Sequence, residues 1–423
     1  MKNSSPAAST PVAPKSVPFL HVYFAFAAGY LLSYLLRTVN AVISPELTRE
    51  LGVSSGALGL LTSAYFIAFG AAQIPAGMLL DRYGPRRVEP AMLLVAAAGT
   101  LAFALAESLT GLIVARALIG LGVAVCLMAP LKAISAWYPP ERQASLAGWV
   151  MVAGGAGALV ATTPVEFALH FMHWRSIFIV LAAVAVGIAA WIWWRVPDTA
   201  PATTATGFAA QWAGVRRVFG NARFWWIGPL GGFGMGSFMA IQGLWSVPWL
   251  IEVNGFGRPV AATHLLAMSA VILGGYLLLG MFATRLARRG IAARHLFAGG
   301  FAANGLALAA IVVDIPGTYL WWSLYGLGAA VNILAFTVLA EGFPRELAAR
   351  ANTALNLLMF VGSFATQWGI GVVIDATRVA GTVDVAGGLR RAFVVVLACH
   401  VASYAWFLVG WKRHAVHRAP VIH

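Results

Sequence analysis

Three cations sit where cations are costly. Arg37, Arg116 and Lys132 each lie within a long apolar stretch of the chain. An ionised side chain in such a stretch costs roughly 2.5–3.5 kcal/mol even on the lenient insertion scale, so it must face a cavity or a partner instead of lipid. Arg37 ends the run GYLLSYLLR, and Tyr30 and Tyr34 stand seven and three residues before it, a helical spacing that puts all three on one face. A guanidinium beside phenols suits a carboxylate or phosphate, because its planar fork meets two oxygens at once. Arg37 is therefore expected to anchor an anion with Tyr30 and Tyr34 beside it. The bland alternative is a structural arginine bonded to carbonyls of another helix. Lys132 is expected either to draw an anion into the cavity or to extend to the membrane surface.

Softer candidates lie in the second half. Asn356, Phe360, Ser363 and Gln367 recur at i, i+4, i+7 and i+11, one face of a helix. Gln242 and Trp245 share a face of another helix, and Asn332 lies in a third. These residues are expected to line a cavity, although amides also join membrane helices without touching a ligand. Acids are scarce, and none reads as a deep unpaired carboxylate. Glu166 and His170 lie one turn apart near the end of a run and are the pair left for proton coupling. Cys126 and Cys399, the 2 cysteines, both fall in apolar runs, so neither a disulfide nor a metal cluster is expected. No cofactor is indicated. A membrane-embedded enzyme would need a nucleophile, a metal set or paired carboxylates, and none is evident.

The elements that must hold these residues follow from composition. The chain is 60% hydrophobic and 10% charged with mean hydropathy +0.81, far from a soluble domain, where about a quarter of residues are charged. Apolar runs at about 19–44, 56–80, 90–107, 111–136, 144–169, 176–195, 223–251, 260–282, 295–313, 318–340, 352–374 and 390–411 suggest twelve membrane helices. With the N-terminus in the cytosol, 19 of the 28 Lys and Arg residues fall on the cytosolic side, which orients both termini inward. The net charge of +14 is then a topology signal and not a nucleic-acid signal. Residues 1–18, rich in Ser, Pro and Ala, read as a disordered cytosolic tail and not as a signal peptide. The polar stretch 196–222 reads as a cytosolic linker, flexible at first and then amphipathic over QWAGVRRVF. It separates a first six-helix bundle, 19–195, from a second, 223–411, and residues 412–423 form a second tail.

Two repeats join the halves. GMLLDRYGPRR at 77–87 is echoed by GMFATRLARRG at 280–290, an offset of 203 that aligns Gly77 with Gly280, Arg82 with Arg285, Arg86 with Arg289 and Asp81 with Thr284. YPPERQASLAG at 138–148 is echoed by FPRELAARANT at 343–353, an offset of 205. Both copies of the second motif leave a helix, break at proline and open the next helix. Parallel halves about an axis along the membrane normal are the layout of a large transporter class that rocks around a midplane site.

These residues carry a resemblance. GMLLDRYGPRR closely resembles the signature between helices two and three of the major facilitator superfamily, Gly-x-x-x-Asp-Arg-x-Gly followed by basic residues, and departs from it at Pro85. RALIGLG at 116–122 resembles the family's helix-four signature, and HWRSIF at 173–178 its usual opening of helix six. The resemblance implies an all-α membrane transporter of two pseudo-symmetric six-helix bundles. It implies that Gly77, Asp81, Arg82, Gly84 and Arg86 form a gating hinge. Asp81 would accept from helix-end N–H groups of the other half, with the arginines holding it in place. Arg116 would serve conformational coupling. GYLLSYLLR and APLKAISAWYPPER are similar to organophosphate antiporters and the related anion–cation symporters. Those phosphate antiporters also carry an arginine in helix seven, where this chain has Gln242, which argues against a phosphate. The expected protein is a monomeric inner-membrane transporter of a small anionic or zwitterionic solute, a carboxylate or amino acid. Export of drugs or metabolites is the alternative.

Overall fold

The computed structural model describes residues 19–198, 208–379 and 384–415. The expected N-terminal tail, residues 199–207 of the linker and the last residues from 416 lie outside the described residues, as do the side chains of Thr284, Glu141 and Glu346 from the repeats. Among the described residues every regular element is helical. Lipid offers no hydrogen-bond partner, so a spanning backbone must satisfy itself, and helices do that within one segment.

In chain order the helices are α1 (Phe19–Leu51), α2 (Ser55–Tyr83), α3 (Pro85–Leu105), α4 (Leu109–Val123), α5 (Met128–Trp137), α6 (Pro140–Val160), α7 (Thr163–Ala168) and α8 (Trp174–Arg195). After α9 (Phe208–Phe219) come α10 (Ala222–Ala240), α11 (Ser246–Pro248), α12 (Arg258–Arg288), α13 (Ala293–Val312), α14 (Thr318–Val331), α15 (Leu334–Ala340), α16 (Arg345–Val379) and α17 (Val385–Ala415). Ser54, Ser108 and Asn221 cap α2, α4 and α10 by accepting from backbone N–H groups. Pro85 and Pro140 stand in the first turn of α3 and α6, where a missing N–H costs nothing. That accounts for Pro85 in the hinge, where the resembling signature is basic.

Among the described residues eleven helical segments are long and apolar enough to cross a bilayer. The run expected over 223–251 is not among them. There α10 passes into a π-helical turn at Ile241–Trp245, the short α11 and a second π-helical turn at Trp249–Val253. The glycines of this stretch lower its hydropathy, and the π turns divide it. Two other runs are broken in matching places. The first breaks between α4 and α5, around Cys126, and the second between α14 and α15, at Asn332 and Ile333.

The end of the molecule at which α1 begins is called basal here, and the opposite end apical. Before the linker, α3 packs on α4 and α8, and α1 on α6; after it, α12 and α13 pack on α14, and α10 on α16. Contacts between these two sets run along α2 and α16, between α1 and both the first π turn and α11, and between α12 and both α6 and α7. Helix α9 lies against both α2 and α16. Small residues allow the α2–α16 approach: a Cβ on Gly59 would stand 2.7 Å from the Gln367 carbonyl oxygen.

Candidate functional site

Arg37 projects among aromatic rings at the junction of α1 and α2. Its guanidinium carbon is 4.5 Å from the Tyr34 ring centre, 5.2 Å from that of Phe69 and 6.0 Å from that of Tyr65. The i, i+3 spacing from Tyr34 supplies the first contact, and α2 supplies the other two at i and i+4. Phe360 of α16 packs against Phe69 in a tilted pair with ring centres 4.5 Å apart, which brings the second half up to the same aromatic floor. Tyr30 packs edge-on to Tyr34 at 5.1 Å and points its hydroxyl towards Met151 Sδ at 3.7 Å. Arg37 Nε is buried without a hydrogen-bond partner, and no carboxylate pairs with this guanidinium among the described residues. Rings stabilise a cation but cannot neutralise it, so the guanidinium keeps its positive charge among these rings.

Arg116 holds the scaffold of that site. Fully buried in α4, it donates to the Leu36 carbonyl oxygen at 2.9 Å, one residue before Arg37. It also lies 5.0 Å from the centre of the same Tyr65 ring. A shift of α4 would therefore be felt at Arg37.

The softer candidates divide. Gln242 and Trp245 both fall in the first π-helical turn, a form that often marks functional sites. Gln242 donates to Ser269 at 3.4 Å and Trp245 to the Gln367 carbonyl at 2.9 Å. Asn356 donates to Gln73 of α2 at 3.1 Å, which makes it a link between the halves in this state. Gln367 and Asn332 are fully buried, and neither amide group has a partner among the described residues. Asn332 lies in the α14–α15 break. A small cleft lies basally among Tyr23, Phe26, Pro130, Ile134, Tyr138, Leu146 and Val150. Its lining is mostly apolar and includes none of the rings around Arg37.

At the basal hinge the expected geometry is corrected. Asp81 does not rest on helix-end N–H groups of the other half; it forms an ion pair with Lys132 of α5, in its own half. Lys132 is thereby engaged and does not present a free charge to a cavity in this state. The arginines do not hold Asp81 either. Arg86 donates to the Trp193 carbonyl at 3.2 Å and pairs with Asp198 at 3.0 Å, and Arg87 pairs with Asp198 at 3.4 Å. Arg82 lies over the Tyr83 ring. Gly84 joins α2 to α3 at φ 77°, a left-handed conformation that glycine adopts without strain. Gly290 ends the echoed hinge at φ 82°. Gly77 has open space where a side chain would stand.

The apical end carries what the sequence did not reveal. Asp375 of α16 accepts from the Ser55 and Gly56 N–H groups at 3.0 and 2.7 Å, capping the start of α2 from the other half. A carboxylate there meets both the unpaired N–H groups and the positive end of the helix dipole. Arg258, at the start of α12, pairs with Glu46 of α1 and with Glu166 of α7, the latter at 3.2 Å. Glu166 is thus committed across the halves, while His170 Nδ1 faces only its backbone carbonyl at 3.1 Å. Within the first half, Arg175 of the HWRSIF stretch binds Glu50 at 2.8 Å and the Ala104 and Ala106 carbonyls at 2.7 and 2.8 Å. This explains that stretch as a clamp on the ends of α1 and α3. Glu89 of α3, which the sequence does not mark as a deep acid, is completely buried, and neither carboxyl oxygen has a hydrogen-bond partner among the described residues.

The comparisons agree with this architecture. The Major Facilitator Superfamily model matches residues 26–366. The hexuronate transporter of Escherichia coli (strain K12) is 30% identical over 273 residues, covering 59% of this chain and 62% of that one. The matched stretch is thus under two thirds of that relative's length. The probable sulfoacetate transporter of Cupriavidus necator is 27% identical over 272 residues, 59% of this chain and 62% of that one. A bacterial homologue of the human lysosomal transporter Spinster, solved in an inward-facing and unoccupied conformation, superposes with TM-score 0.78 over 96% of this chain and 100% of its own, at 18% identity. With eleven apolar spans among the described residues and bacterial transporters as relatives, this is a multi-pass inner-membrane protein. The chain belongs to the major facilitator superfamily.

Proposed function

We propose that the protein is a secondary transporter of a small organic anion, with a hexuronate-class carboxylate as the first candidate. It works by alternating access, and Arg37 anchors the carboxylate. The observation that carries this reading is the Arg37 guanidinium, set among Tyr34, Tyr65 and Phe69 with no acid to neutralise it. The relatives' names add support, since hexuronate and sulfoacetate share an acidic group and little else. Gln242, Trp245, Asn332 and Gln367 are the second half's contribution, suited to hydroxyl groups of a sugar acid. The interrupted segment from α10 to the second π turn serves as the twelfth span. Both termini are cytosolic, and two six-helix bundles, 19–195 and 223–411, rock about the central site. The apical end then faces outward, and the clasped state is closed to the outside. The protein acts as a monomer, binds no nucleic acid and catalyses no covalent chemistry.

Export of drugs or metabolites is the second reading, and the apolar basal cleft is the observation that favours it. Proteoliposome uptake separates the two. D-galacturonate is expected to enter saturably, neutral D-galactose is not, and Arg37→Lys should lower the galacturonate rate at least tenfold, a loss of about 1.4 kcal/mol from the missing fork. A monodisperse Arg37→Ala protein that transports galacturonate as well as wild type would overturn the assignment.

A further inference from the structure

Glu89 is a buried acid that anion binding alone does not use. It lies in the second turn of α3, is 0% exposed, and neither carboxyl oxygen has a hydrogen-bond partner among the described residues. From α1, Gly29 faces it so closely that any Cβ there would collide with Glu89 Oε1, and Ile188 of α8 borders the same spot. From the α4–α5 break, the Cys126 thiol is the polar side chain in reach, and a thiol is a weak donor. The charged groups of the neighbouring helices are committed elsewhere: Lys132 of α5 to Asp81 of α2, and Arg86 and Arg87 of α3 to Asp198. Arg82 lies over Tyr83, and Arg195 at the end of α8 is exposed. Tyr30, Tyr34 and Arg37 lie further along α1, and Cys126 is within electrostatic reach of both Arg37 and Glu89.

An uncompensated carboxylate ion in a membrane interior is strongly disfavoured, whereas a neutral acid fits such a site. Packing alone would be served by an amide or an aliphatic side chain. We propose that Glu89 is the proton-binding site of this transporter, and that its proton travels with the anion held at Arg37; the second clause rests on the function proposed above. The step is a simple one: a proton from bulk water joins a carboxylate oxygen on one side of the membrane and returns to water on the other. A solute anion at Arg37 and a negative charge at Glu89 repel each other, so solute and proton favour each other's binding, and the coupling is reciprocal. The α4–α5 break supplies a movable part between them. Its backbone turns through Cys126 N–H to the Val123 carbonyl at 3.2 Å and Ala129 N–H to the Val125 carbonyl at 2.9 Å. Bending there shifts Cys126 against Glu89 and changes the access of water to the carboxyl.

Two measurements test this. Infrared pH-difference spectra of the purified wild-type protein report the proton directly, without any solute. A protonated-carboxyl band present in wild type should vanish in Glu89→Gln and shift in Glu89→Asp. An unchanged band in Glu89→Gln would overturn the site, whatever the solute proves to be. Proteoliposomes then test the coupling with D-galacturonate as probe. Glu89→Gln should keep solute exchange near the wild-type rate yet lose accumulation driven by a pH gradient, and Glu89→Asp should retain part of that accumulation. Gradient-driven accumulation by Glu89→Gln equal to wild type would overturn the coupling. Absence of galacturonate exchange in wild type would count against the proposed solute, and the infrared result would still decide the proton site.

Discussion

The two ends of the molecule use charge in opposite ways. At the apical end the charges reach across the halves: Asp375 caps α2, and Arg258 joins Glu46 and Glu166. At the basal end they stay at home: Asp81 pairs with Lys132, and Arg86 with Asp198. The basal residues are the ones that resemble a family signature, yet they do not hold the halves together in this state. The residues of the signature are thus engaged within one half here, while residues outside it join the two. The apical bonds define the state seen here. Under the proposed alternating access the basal pair would have to be exchanged, and both its side chains, at 27% and 40% exposure, are accessible enough for that exchange to be cheap.

The contrast can be broken most strongly from the apical end. Removing both cross-half devices, with Asp375→Asn and Arg258→Gln together, should shift the balance between apically closed and open states by about 2–4 kcal/mol, since hydrogen bonds to charged groups are worth roughly 1.5–3 kcal/mol each when buried and less where solvent screens them, as at the partly exposed Arg258. That is on the order of 30- to 1,000-fold in population. Alkylation of single cysteines placed near each end reads the direction. A smaller pair of changes sharpens the contrast at the basal end. Lys132→Gln frees Asp81 for the other half and should favour basal closure by up to about 1 kcal/mol. Asp81→Asn removes the acid altogether and should shift the balance the other way. If both variants moved the alkylation pattern in one direction, Asp81 would have no second partner. The smallest effect belongs to Arg86→Gln. Its partner Asp198 is about half exposed, at 48%, so a thermal melt should move by less than the equivalent of about 0.5 kcal/mol and the conformational balance should hold.

Much of this was legible in the sequence, and the residues show why some was not. Arg37 and Tyr34 belong to one helix, so their spacing alone predicted contact. Tyr65 and Phe69 come from α2, and periodicity carries no information about which helix faces which. The helix-opening prolines at 139 and 344 were readable because proline acts locally. The π-helical turns were not, since a change from i+4 to i+5 bonding leaves no mark in an apolar, glycine-rich run. Glu89 sits in the stretch PRRVEP, which reads as a polar turn at a helix start; its burial depends on Gly29 of another helix. Asp375 reads as an ordinary polar residue near a helix C-terminus. Its partners lie 319 and 320 residues away, a separation at which only the fold brings them together.

The most direct test of the contrast is a distance measurement across the apical opening. Spin labels at Glu107→Cys and Ile315→Cys, on opposite halves and with Cys126 and Cys399 replaced by serine, report that opening by electron–electron resonance. The wild-type background should give one short, narrow distribution. The Asp375→Asn, Arg258→Gln background should give a longer, broader one, while a label pair at the basal end shortens. An apical distribution that stays short and narrow after both cross-half devices are removed would contradict the account, because the apical end would then be held closed by something other than these charges.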